Sequence, residues 1–254
     1  MAQFAYAKQM IKQNLGDLPF ISVKGNHDIT GPGAVDAYNR FMLPWMSAEC
    51  GKPVDSASFY FMQGPDLFVI FDVYHHADLN WLKKALKHNP HRHVFVVMHP
   101  PVVPCSARSA WHFLSKPGEL KKREVLLNIL GRSKAIVLTA HLHKYSLLGR
   151  KTPKGTFVQF NMGSVISFSP VTVEDEVRGV ECYNGSLVEL EPDFQPETIE
   201  LRKKILDDER DSVTFFECAD FGGYAVFHVS DAAVAADIYA GDSSEKWKTV
   251  NLIQ

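Results

Sequence analysis

Amide and imidazole side chains recur in this chain directly after apolar runs. Gly25-Asn26-His27-Asp28 follows Phe20-Ile21-Ser22-Val23, His99 follows Val94 to Met98, and His141-Leu142-His143 follows Lys134 to Thr139. Side chains that cap the carboxyl ends of neighbouring strands converge on one crevice, the place where open α/β sheets bind ligands. Imidazole nitrogen and amide oxygen are ligands for a divalent transition metal. The chemistry expected of such a cluster is metal-assisted hydrolysis.

Each residue also has a plainer reading. Asn26 can be a ligand or an Asx-turn residue at a strand exit, with Gly25 ahead of it permitting an unusual backbone turn. Asp28 can orient or charge-stabilise the imidazole of His27, or cap the turn that follows. His99 precedes Pro100-Pro101, which lack backbone donors and stiffen the exit, so its ring is either a fixed ligand or a buried histidine bonded to a carbonyl. His141 and His143 are two apart, and in an extended chain that spacing puts both on one side; the alternative is a solvent-facing polar alternation.

The elements that must position these groups follow from periodicity. Phe4, Ala7, Ile11 and Leu15 predict a helix that stops at Gly16 before a strand over Phe20 to Lys24. Ser58 to Gln63 and Leu67 to Val73, joined by Gly64-Pro65-Asp66, predict a hairpin. Asp78 is placed to cap a helix through Leu79, Leu82 and Leu86, leading to a strand over His93 to Met98. Glu119 to Leu130 and Lys134 to Thr139 repeat that helix–strand unit. Beyond His143, Tyr145 to Leu148, Thr156 to Phe160, Leu187 to Leu190, Tyr224 to Val229, Val234 to Tyr239 and Lys248 to Leu252 predict short strands. One helix, Pro196 to Asp208, interrupts them, and Pro170 to Gly185 reads as a solvated loop. Alternating β and α followed by an antiparallel half implies two stacked sheets with helices outside.

The 254 residues, 46% hydrophobic, can bury a sizeable core and fit a single domain over 1–254, with an α/β half at 1–143 and a mainly antiparallel half at 144–254. A net charge of −2 from 27 basic and 29 acidic residues gives no global attraction to nucleic acid or acidic membranes. The four cysteines are far apart and form no Cys-x-x-Cys pair, which argues against a zinc cluster and for a reducing compartment. Without a membrane-length apolar run or a signal-peptide core at residues 1–15, the default expectation is a cytoplasmic, unanchored protein, a signal in a missing amino-terminal segment aside.

The order Gly-Asn-His-Asp, then a strand ending in His-Pro-Pro, then a strand ending in Ala140-His141-Leu142-His143, resembles the later motifs of the calcineurin-like metallophosphoesterase superfamily. Tyr239-Ala240-Gly241-Asp242 and Trp247 look like the closing hairpin of its bacterial members. The resemblance implies a four-layer α/β/β/α sandwich of two stacked mixed sheets. It also implies two divalent cations that activate water against a phosphate mono- or diester. By position, Asn26, His99 and His141 match ligands of one metal and His143 a ligand of the other. His27 matches the transition-state histidine, supported by Asp28.

The family's early Asp-x-His and its Gly-Asp, which supply carboxylate ligands, have no counterpart. No aspartate here has His two positions on, Gly16-Asp17 lies at a helix end, and Gly241-Asp242 lies in a hairpin turn near the carboxyl terminus. The chain therefore resembles a member whose first strand, helix and second strand are absent. Four neutral ligands do not neutralise two dications, so at most one metal (Mn, Fe or Zn) is expected, with impaired hydrolysis. A non-catalytic scaffold or binding module of the same fold is the rival reading. The implied partner is a small phosphate ester, with neither nucleic acid nor membrane indicated and no oligomeric state fixed. The stretch Pro101 to Gly118, with Arg108, Trp111, His112 and Lys116, is expected to roof the crevice and select substrates.

Overall fold

A computed structural model describes residues 2–74, 78–106, 108–109, 117–164, 171–190 and 199–253. The chain opens with α1 (Ala2–Leu15) and α2 (Ala34–Cys50), then the hairpin β1 (Phe59–Gln63) and β2 (Asp66–Ile70). Two helix–strand units follow: α3 (Leu79–His88) with β3 (Val94–Val97), and α4 (Pro117–Arg132) with β4 (Ile136–Thr139). Next come β5 (Tyr145–Thr152), β6 (Gly155–Asn161), β7 (Glu174–Arg178), α5 (Ile199–Arg210) and β8 (Val213–Asp220). The chain closes with β9 (Gly223–Val229), β10 (Val234–Ala240) and β11 (Lys246–Ile253).

These strands form an eight-stranded mixed sheet in the order β1-β2-β3-β4-β6-β5-β8-β7 and a three-stranded sheet in the order β11-β10-β9. The centre of the large sheet is parallel, β2 with β3, β3 with β4 and β4 with β6. Its flanks are antiparallel, and so is the whole second sheet. A strand with both faces covered is apolar at every position, and β3 follows that rule. Val94 and Val96 join the core shared with Leu82, Leu126 and Leu130 of the helices. Phe95 joins the core shared with Ala236, Ile238 and Leu252 of the second sheet. The two-sheet α/β class expected from the sequence is therefore the one found.

Asp78 caps α3 as its position suggests, its Oδ1 accepting the N–H groups of Asn80 at 2.8 Å and Trp81 at 3.0 Å. Other local expectations need correction. Phe20 to Lys24 is not a strand: it belongs to no ladder, because no described strand lies beside it, and its amides turn to side chains. Phe20 N–H donates to Glu49 Oε2 at 3.1 Å, and Ser22 N–H to Met46 Sδ at 3.4 Å. Leu187 to Leu190 belongs to a 3₁₀ turn, Gly185–Leu190, held by a local bond, Ser186 N–H to Asn184 Oδ1 at 2.8 Å, and by one to α5, Gly185 N–H to Asp207 Oδ1 at 2.8 Å. Within the expected loop 170–185, Glu174–Arg178 pairs as edge strand β7.

The sequence reading assigned no element to α2 or β8. Pro44 lies inside α2 and reads as a breaker, while the acidic, buried Glu217 interrupts the apolar run of β8. The helix expected over Pro196 to Asp208 is found as α5 through Ile199–Arg210, and Pro196 lies outside the described residues.

Phe20 to Gly25 is held by packing and by one buried charge pair. Phe20, Ile21 and Val23 rest on Tyr38, Met42, Trp45 and Met46 of α2. Lys24 Nζ pairs with Asp72 Oδ2, with both side chains almost fully buried at 3% and 6% exposure. Asp72 also accepts the Tyr74 N–H at 3.0 Å, and its own N–H donates to Ser58 Oγ at 3.0 Å. Removing one partner of such a pair leaves a buried charge alone. Lys24→Met is expected to cost about 3–5 kcal/mol of stability in urea unfolding. Adding Asp72→Leu should recover part of that, and equal losses in the single and double variants would show that the pair is not what secures the segment.

Candidate metal centre

β3 and β4 leave the parallel sheet at the same edge, and their exits are tied one residue beyond the ladder by Ala140 N–H donating to His99 O at 2.9 Å. Leu142 N–H then donates to Ala140 O at 2.9 Å. This closes a three-residue turn around His141, whose φ is +72°. Such γ-turns with positive φ are strained for a residue with a Cβ. The turn aims the His141 ring back at His99, with ring centroids 5.1 Å apart and planes at 77°.

Asn26 completes the cluster from the 3₁₀ turn Asn26–Ile29. Its Oδ1 lies 2.9 Å from His99 Nε2 and 3.3 Å from His141 Nδ1, and the two nitrogens are 3.2 Å apart. At most two of these three contacts can be hydrogen bonds at once, because Oδ1 only accepts and a protonated ring nitrogen has no lone pair. Donor atoms bound to one cation at about 2.1 Å stand about 3.0–3.4 Å from each other. Oxygen and imidazole nitrogen at these separations fit a single transition-metal ion.

Gly25 has φ −103° and ψ 174°, ordinary extended values, so the unusual turn expected of it is not present. Its need for glycine is close approach: a Cβ there would lie 3.2 Å from Cε1 and Nδ1 of the His99 ring. Asp28 Oδ2 accepts the Gly25 N–H at 2.8 Å and so caps the turn that presents Asn26 and His27.

His27 and His143 are exposed at the rim. His141 has φ +72° and His143 φ +59°, so the His141–His143 stretch is not extended; the His141 ring stands in the cluster, and the exposed His143 lies near enough to bear on the charge of His99. Gly163, which the sequence reading passed over, lets the chain after β6 cross His143, since a Cβ there would meet the His143 carbonyl carbon at 2.6 Å. Tyr74, also passed over, brings its ring centroid to 6.1 Å from that of His99. Neither carries a sequence signal beyond following an apolar run. Arg108 is half-buried, and Trp111, His112 and Lys116 lie outside the described residues.

A second cation finds no comparable shell among the described residues. Among the described residues no group of three His, Cys, Asp or Glu side chains is arranged to hold a metal. Asp28 and Asp72 are committed to Gly25 and Lys24. The one cluster is thus made of three neutral donors, two of them imidazoles.

Comparison with known proteins gives the family. A family model described as calcineurin-like phosphoesterase matches residues 2–145, more than half of the chain, and the chain belongs to that family. Among solved structures it is similar to a purple acid phosphatase from seeds of yellow lupin, Lupinus luteus, at 11% identity and a TM-score of 0.57, over 99% of this chain and 43% of that one. It also matches a PhoD structure at 14% identity and a TM-score of 0.47, over 92% of this chain and 48% of that one. GAP50, described as the anchor in the inner membrane complex of Plasmodium, matches at 13% identity and 0.47, over 93% and 66%. The chain thus spans between about two-fifths and two-thirds of the length of these structures. No curated protein matches it. Among the described residues no helix is long and apolar enough to cross a membrane.

His99 is kept neutral. Burial, then the proximity of His27 and His143, brings its pKa from 6.5 down to about 4. The unfolded chain therefore takes up a proton between pH 6.5 and 4 that the folded chain refuses. The stability linked to this group is complete above pH 6.5 and is lost as pH falls toward 4. Urea midpoints measured in EDTA across that range should fall, and His99→Gln should flatten part of the slope. An unchanged slope in the variant would mean that His99 titrates normally.

Proposed function

We propose that this chain acts as a phosphoesterase on a small phosphate mono- or diester, with one divalent transition metal (Mn, Fe or Zn) held by Asn26, His99 and His141. The observation that carries the reading is the triangle of three donor atoms 2.9–3.3 Å apart at the exits of β3, β4 and the Asn26 turn. When bound there, a dication supplies a water of lowered pKa and positive charge for the phosphate oxygens.

The protein's own groups do the rest. His99 keeps a lone pair available because its protonation is suppressed. His27, exposed beside a depression of about 480 Å³ lined also by Asp36 and Arg40, is placed to give a proton to the leaving oxygen. Asp28 fixes the turn on which His27 stands. His143, at the rim, is the remaining imidazole for phosphate or for a second, weaker cation. Because no carboxylate enters the cluster among the described residues, hydrolysis is expected to be far slower than a two-metal centre achieves.

Metal content after exhaustive dialysis against Mn or Zn should not exceed one ion per chain; two tightly held ions would show that a further ligand set exists. His141→Ala should lose metal and turnover of bis(p-nitrophenyl) phosphate together. His27→Ala should keep the metal and lose about 10²–10⁴-fold in rate, the range for a general acid. Equal metal loss in both variants would make His27 a ligand. A metal-loaded wild-type chain without turnover would assign the crevice to binding, the scaffold reading of this fold.

A further inference from the structure

A groove lies at the opposite edge of the sheet from the candidate metal centre. It runs between α3 and α4 where β3 and β4 begin, has a volume of about 600 Å³, and is lined without a single carboxylate. Lys83 and Lys87 stand on one lip, Arg132 and Lys134 on the other, and Lys154 closes the end. All five are exposed. Among the described residues none of them has an ion-pair partner, whereas Lys24, Arg123 and Arg150 do. The helix dipoles account for Lys87 and Arg132, which sit in last turns. They do not account for Lys83, Lys134 and Lys154.

The floor of the same groove is apolar: Leu79 and Leu86 from α3, Val125 and Ile129 from α4. Val125 is 50% exposed in the middle of a helix whose solvent face needs no valine. Leu79 to Lys87 spans about 12 Å at about 1.5 Å per residue, so apolar floor and basic lips run together for more than two helical turns. An isolated inorganic anion would leave that floor wet. A helix with an apolar stripe and acidic flanks would cover it and meet both lips.

We propose that this groove docks an acidic amphipathic helix of a partner protein, by laying the partner's apolar stripe on Leu79, Leu86, Val125 and Ile129 and its carboxylates against the five cations. The site is independent of the metal centre, which lies at the other ends of the same strands.

The test uses a fluorescein-labelled Leu/Glu peptide with Leu at helical spacing, and a scrambled peptide of the same composition. Fluorescence anisotropy should show the amphipathic peptide binding, more weakly as salt rises, with the scrambled one clearly inferior. Lys83→Glu combined with Lys87→Glu, and separately Val125→Asp, should each weaken binding roughly tenfold or more while circular dichroism and metal content stay unchanged. Equal binding of the scrambled peptide, indifference to the charge reversal, or indifference to Val125→Asp would overturn the proposal. So would displacement of the peptide by inorganic tripolyphosphate at comparable concentration, which would assign the groove to polyanions.

Discussion

Parallel pairing of β3 with β4 places Val97 beside Leu138, and so His99 and the turn at His141 leave the sheet side by side. In an antiparallel pair the two exits would lie at opposite edges and the imidazoles could not meet. Parallel pairing requires a crossover, which here is α4, and the crossover helix covers one face of the sheet. The second sheet covers the other face through Phe95, Ile136, Tyr145 and Phe160. The same geometry also gathers the carboxyl ends of α3 and α4 and the starts of their strands at the far edge. Imidazoles at one edge and unpaired cations at the other are two consequences of one pairing.

The third donor reaches the cluster by a different route. Asn26 follows a segment with no ladder bonds, seated by apolar contacts on α2, by the Lys24–Asp72 pair and by amides donating to Glu49 and Met46. Gly25 then allows the backbone to lie against the His99 ring. Two donors are therefore fixed by the sheet and one by side chains. The strain of the positive φ at His141 falls on the sheet-borne half, where the bonds of Ala140 and Leu142 over-determine it.

Much of this was legible in the sequence because strand ends are. The apolar runs before His99 and His141 are the interior strands of a parallel sheet, and the convergence of their exits follows from fold class alone, whereas Asn26 arrives from a segment that is not a strand. What was not legible depended on partners far along the chain. Phe20 to Lys24 is apolar enough for a strand, but a strand also needs a neighbour. β8 escaped notice because Glu217 is buried beside Tyr145 and Lys248 rather than exposed. The sequence around Gly25 suggests dihedral freedom, while its missing Cβ is what the site uses. The two-residue spacing of His141 and His143 suggests extended chain, and the positive φ values at both residues show that the stretch is not extended.

A site built from one rigid and one side-chain-held part has a definite energetic signature. Segments that lack ladder bonds open at lower free energy than core strands, so the Asn26 turn can leave its seat while His99 and His141 stay in register. A cation meeting the two imidazoles alone finds an incomplete shell. Its apparent affinity is then the intrinsic affinity multiplied by the fraction of molecules in which the turn is seated. The buried Lys24–Asp72 pair, two residues before Asn26 and none of the three donors itself, would thereby set how tightly the crevice holds the proposed metal.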